Sequence, residues 1–100
     1  MILVKIHETY RAVISVCDSE LVGKKFEEGN RQLDISEDFY GGGDEMSEEE
    51  AIALIKDKLN EDACFNFAGE KAVEAGVKAG AVDRSRVMKI QGIPYAMLLV

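Results

Sequence analysis

Apolar residues near the start of the chain fall on alternate sites. Ile2, Val4 and Ile6 share one side of an extended backbone, and Leu3, Lys5 and His7 share the other. Ala12, Ile14 and Val16 against Val13, Ser15 and Cys17 repeat the pattern. Two period-two runs joined by the polar residues 8–11 predict a β-hairpin. Asp18 then stands as the N-cap of a single helical turn closed by Gly23. Phe26 and the alternating residues 31–36, with Leu33 and Ile35 inward, predict further short strands around Gly29 and Asn30.

Residues 40–46, Tyr-Gly-Gly-Gly-Asp-Glu-Met, read as an internal loop. Ser47 and Glu50 have the spacing of a capping box, and Glu48, Glu49 and Glu50 suit the positive end of a helix. Ile52, Ile55 and Leu59 recur at helical spacing behind them. A second helix is expected over residues 66–80, starting at Asn66, with a face of small residues such as Ala68, Gly69, Ala72 and Gly76. Glycine inside a helix costs up to about 1 kcal/mol against alanine, so such a face implies close approach of another backbone. Asp83 opens a turn, residues 87–90 form a strand, and Gly92, Ile93 and Pro94 interrupt it. The final apolar run, residues 95–100, lacks alternation and is expected centrally in the sheet, covered on at least part of both faces. The pattern as a whole predicts one α+β domain spanning residues 1–100: a small mainly antiparallel sheet with two helices packed on one face.

Composition narrows what such a domain does. The apolar fraction is 47% with a single proline, which excludes a disordered chain. No apolar run approaches the roughly 20 residues of a membrane helix. The apolar start is interrupted by Lys5, His7 and Glu8, unlike a secretory leader, so a cytoplasmic protein with its native start and no membrane contact is expected. The net charge is −7 and unevenly spread. Residues 27–62 carry thirteen acids against Arg31, Lys56 and Lys58, a net of −10, and the rest carries six acids and nine bases, net +3. Strong direct nucleic-acid binding is not expected of such a chain, because Lys and Arg contacts to phosphate supply most non-specific affinity.

Several chemistries lack their residues. Cys17 and Cys64 lie far apart in apolar stretches and read as buried free thiols, with Cys64 between the helices. With His7 as the only histidine and no C-x-x-C, no zinc site and no other metal or cofactor is expected. His7 shares a face with Lys5 and reads as a surface residue rather than a catalytic base. Gly41, Gly42 and Gly43 lack the G-K-[ST] ending of a phosphate loop and run into Asp44 and Glu45, so they read as a flexible turn.

The segments fall in a recognisable order. Asp-x-Glu-Leu-x-Gly-Lys-x-Phe (residues 18–26) comes first, then Leu-x-Ile with Phe-Tyr-Gly-Gly (33–42) and the acidic capped helix. Asn-x-x-Gly-Glu-x-Ala-Val (66–73) and Ile-x-Gly-Ile-Pro (90–94) follow. This order resembles the small archaeal domain-of-unknown-function family four-two-four nearly from end to end. Tyr95 stands where that family commonly has a histidine after the proline. The resemblance implies an archaeal cytosolic protein of unknown activity, loosely associated with translation genes.

Its segments are mostly loops and element ends, where binding usually resides. Asp18, Lys24, Tyr40, Gly41, Asn66, Glu70 and Tyr95 are therefore the candidate binding surface. The leading expectation is a non-catalytic interaction module for a protein or ribonucleoprotein partner. The alternative is a small-molecule or anion-binding domain, catalytic or not, using the loops around Gly23 and Gly41 and the helix start at Asn66.

Overall fold

The computed structural model describes residues 1–99. Its main sheet has six strands, β1 (Ile2–His7), β2 (Val13–Asp18), β5 (Asp44–Met46), β6 (Cys64–Ala68), β7 (Met88–Ile90) and β8 (Ile93–Leu98), in the order β5-β1-β2-β6-β8-β7. Only the β2–β6 pair is parallel, so the sheet is mainly antiparallel. A separate hairpin joins β3 (Lys25–Glu28) to β4 (Arg31–Asp34) around Gly29 and Asn30.

Alternation decides what each face of the sheet buries. Ile2, Val4, Ile14, Val16, Phe65 and Phe67 point to one side and pack beneath α2 (Glu48–Leu59) and α3 (Glu70–Lys78). Leu3, Cys17, Ala68 and Ile90 point to the other, where Leu21, Leu33, Ile35 and Tyr40 cover them from a 3₁₀ turn, β4 and the short α1 (Glu37–Tyr40). The fold is α+β, with the two longer helices on one face and the β3–β4 hairpin with α1 over part of the other.

The capping box forms as the sequence predicts. Ser47 Oγ accepts from Glu50 N at 3.2 Å, and Glu50 Oε1 accepts from Ser47 N at 3.0 Å. Elsewhere the structure corrects the sequence. Residues 64–68 are a strand rather than the first turn of a helix, because Phe65 and Phe67 alternate into the core and the helix begins only at Glu70. The loop over residues 40–46 instead holds the end of α1 and edge strand β5. Two of its glycines are close-packed rather than flexible: a Cβ on Gly41 would strike the Glu37 carbonyl, and one on Gly43 the Val4 backbone, whereas Gly42 stands in open space at φ 78°.

Gln91 and Gly92, at φ 51° and 79°, form the two-residue turn of the β7–β8 hairpin. Both positive angles match a type I′ turn, whose twist suits the flanking strands. Pro94 therefore lies inside β8, opposite Lys89, and does not interrupt it. β8 is second from the edge rather than central, and Val100, the last residue of the expected strand, lies outside the described residues.

The thiols also part company. Cys17 is fully buried, and burial pushes its pKa up to about 12. Cys64 is only half-buried, on the sheet face turned away from α2 and α3, not between them. A maleimide reagent at neutral pH is expected to modify Cys64 well before Cys17, whose labelling should wait on global unfolding because a neutral buried thiol is unreactive. Mass spectrometry of the partially labelled native protein checks this; equal labelling of both thiols would contradict the burial.

Candidate functional site

The seven candidate residues occupy separate surroundings. Asp18 ends β2 and is 5% exposed. Its side chain does not cap the 3₁₀ turn that follows it. It crosses instead to α3, where Oδ1 accepts from Ala72 N at 2.8 Å and Oδ2 from Lys71 N at 3.2 Å. These are two of the free N–H groups at the start of α3, so a carboxylate of the chain already fills that anion-binding position. Gly69, the N-cap of α3, stands at φ 109° and ψ 159°, and a Cβ there would overlap the Asp18 carboxylate. Glu70 follows it, exposed, beside a groove of ≈ 410 Å³ with Val73, Glu74, Arg84 and Lys89.

Burial pushes the Asp18 carboxyl above the ordinary aspartate range, against the two backbone donors that favour its ionised form. A raised native pKa means that the unfolded chain releases this proton at lower pH. The contribution of Asp18 to stability is then fully present below its unfolded pKa and declines as pH rises through the native one. The stability difference between wild type and Asp18→Asn should accordingly become less favourable to wild type between about pH 4 and the native midpoint, then level off. Carbon-detected titration of Asp18 should place that midpoint above the unfolded value; a midpoint below it would show that the helix donors outweigh burial.

Tyr40 and Tyr95 belong to the apolar cluster on the other face. Tyr40 is buried, edge-on to Phe39 at 5.0 Å, and burial raises its phenol to about 12. Tyr95 is half-buried, opposite Ala68 and Met88. Asn66 lies mid-strand on the same sheet face, between Ser15 and Met97. Lys24 is exposed, its backbone joined to Leu21 and Ile35. Gly41 lines an open cleft of ≈ 540 Å³ with Leu3, Lys5, Glu37, Asp38 and Glu45. None of the other six lines that cleft.

Alternation hid one polar cluster by assigning His7 to the surface. His7 is half-buried and its ring stacks on Phe39 at 4.6 Å. Its Nε2 lies 2.9 Å from Phe39 O and 3.3 Å from Ser15 Oγ, and Ser15 Oγ donates to the same carbonyl at 2.8 Å. The pair has the spacing of a nucleophile and base, yet its geometry serves neither role. Bonding to a carbonyl requires the proton on Nε2, and Ser15 is fully buried. Both side chains anchor α1 to the sheet.

A different surface stands out on β7 and β8, where Met88, Met97 and Leu99 are 40%, 55% and 72% exposed. Met88 pairs with Tyr95, and Met97 and Leu99 follow Tyr95 at period two, which places all three on the face turned away from α2 and α3. Among the described residues no group of three or more His, Cys, Asp or Glu side chains is placed to hold a metal ion. No helix among them is long and apolar enough to cross a membrane.

The chain belongs to the family described as a protein of unknown function (DUF424), whose model matches residues 7–100. It is also similar to a solved structure described as an uncharacterized conserved protein from Methanopyrus kandleri. The two are 29% identical with a TM-score of 0.86, over 97% of this chain and 89% of that one. No curated protein matches it.

Proposed function

Taking membership of that family as the premise, we propose that the chain is a non-catalytic interaction module that binds a protein or ribonucleoprotein partner in the archaeal cytoplasm. The observation that carries this reading is the apolar stripe of Met88, Met97 and Leu99. Scattered exposed apolar residues are ordinary, but three on one face of one strand pair are the kind of surface a partner covers. The archaeal origin is supported by the source of the similar structure. Two free thiols are consistent with a reducing compartment.

The reading as a small-molecule or anion-binding domain has less behind it. Glu37, Asp38 and Glu45 against Lys5 give the ≈ 540 Å³ cleft an acidic lining that repels anions, and Lys5 Nζ already donates to Asp38 O at 2.8 Å. Asp18 occupies the start of α3. The N–H of Gly23 is used by Ile35 O at 2.7 Å.

Affinity capture of the tagged full chain from its native cytosol, with and without nuclease, tests the proposal. A stoichiometric protein or ribonucleoprotein partner is expected. Apolar contacts should hold it as salt is raised, because screening weakens charge pairs and leaves hydrophobic burial intact. The purified chain should bind generic RNA no tighter than about 10⁻⁴ M at physiological salt. Micromolar RNA affinity that disappears in a Lys24→Glu, Lys25→Glu variant would replace the module reading with direct RNA recognition.

A further inference from the structure

β8 has a strand on both sides only as far as Tyr95. Its ladder with β7 ends at Met88↔Tyr95, whereas its ladder with β6 continues to Phe65↔Leu98. The segment that would extend β7 winds instead into the 3₁₀ turn Arg84–Arg86. A groove of ≈ 470 Å³ remains between that segment and β8, walled by Ala81, Val82, Asp83 and Arg86 and floored by residues 96–99. In an antiparallel ladder, backbone groups of alternate residues face the same neighbour. Ile93 and Tyr95 face β7, so the N–H and C=O of Met97 face the groove, where no strand of the described residues lies.

Natural sheets protect such edges with lysine, proline or a bulge. This edge carries none: residues 96–99 are Ala-Met-Leu-Leu, and Pro94 lies earlier, within the paired part. Its cationic flank is Arg86, exposed and in no salt bridge among the described residues. The adjacent Asp83 carboxylate is turned to Ser85, accepting from its N at 3.0 Å and its Oγ at 2.8 Å.

Resting on the interaction reading above, we infer that this edge receives an extended segment of a partner protein. The segment adds a strand beside β8, with apolar residues toward Met97 and Leu99 and an acidic residue toward Arg86. Main-chain bonds supply the attachment and the groove supplies selection, as in other strand-addition interfaces. A second copy of this chain is the poorer occupant. Edge-to-edge pairing by two-fold symmetry would set Arg86 near Arg86.

Selection of a random peptide display library on the full chain, followed by fluorescence anisotropy of the enriched peptides, tests this. Peptides with alternating apolar residues and an acidic position are expected. Their affinity should fall about tenfold with Arg86→Glu, a loss of about 1.4 kcal/mol, and proline at the central peptide position should abolish binding. Arg86 is exposed, so that variant keeps the fold, and Met97→Lys serves as a second one. No enrichment, enrichment of basic peptides, or peptides indifferent to both variants would overturn the inference. Concentration-dependent dimerisation lost in Met97→Lys would also overturn it, by giving the edge to a second copy. A native partner captured equally by wild type and by a chain carrying both Arg86→Glu and Met97→Lys would remove the edge assignment while leaving the module reading standing.

Discussion

Gly69→Ala is expected to lower the melting temperature by roughly 8–40 °C, at about 4–8 °C per kcal/mol for a domain of this size. Two effects combine at this position. The backbone there, φ 109° and ψ 159°, lies in a region that only glycine occupies without strain, and any side chain pays about 1–3 kcal/mol. The new methyl group would also overlap the Asp18 carboxylate and drive it from α3. That leaves the amides of Lys71 and Ala72 without their acceptor, worth a further 1–2 kcal/mol or so. The sum, about 2–5 kcal/mol, is a large part of the 5–15 kcal/mol that holds a typical domain together.

The pairing of these two residues can be isolated. Asp18→Ala alone should cost about 1–3 kcal/mol, whereas adding it to Gly69→Ala should cost little more, because the carboxylate is already displaced. Denaturant melts of the four proteins measure that coupling. Strict additivity, or a Gly69→Ala protein as stable as wild type, would mean that the carboxylate does not cap this helix.

The second large effect is expected at Gly76, buried where α3 lies on the sheet. A Cβ there would stand 2.9 Å from both Phe67 Cε1 and Val82 Cγ2, tighter than van der Waals contact allows. Alanine at this position gains about 0.8–1.0 kcal/mol of helix propensity, which offsets part of the clash. Leucine has no room for its branch and should destabilise by about 3 kcal/mol, the upper end for overpacking. Phe67 is itself fully buried and stacked on Phe65 at 5.6 Å, so it cannot swing aside. Thermal melts should therefore rank wild type above Gly76→Leu by roughly 12–24 °C, and Val82→Ala in the leucine background should recover part of the loss. A leucine variant that melts with wild type would show that α3 stands off the sheet.

The sequence by itself determined what neighbouring residues settle among themselves. Period-two alternation placed β1 and β2 and assigned Val4 and Val16 to the core, because successive side chains of a strand must point to opposite faces. Ser47 and Glu50 placed the start of α2, because both capping bonds close within three residues. The small-residue face of α3 announced close approach of another backbone, but the atoms that crowd Gly76 belong to the side chains of Phe67 and Val82.

Tertiary structure decided what depends on distant partners. Residues 64–68 carry small and aromatic residues that suit a strand or a helix. Pairing with β2 on one side and β8 on the other made them a strand. Asp18 looked like a local cap, yet it caps a helix more than fifty residues away, since two unpaired amides there needed an acceptor. Of the candidate surface, Tyr40 is buried, Gly41 lines an acidic cleft and Asn66 lies mid-strand, so residues that share loop chemistry do not share a cleft. The run 95–100 looked central because it is apolar throughout. Only strand order, with the β7–β8 ladder ending at Met88↔Tyr95, leaves Met97 on an open edge. Side-chain periodicity is written a few residues at a time, whereas strand order and burial depend on which distant segments meet, and no local pattern contains that choice.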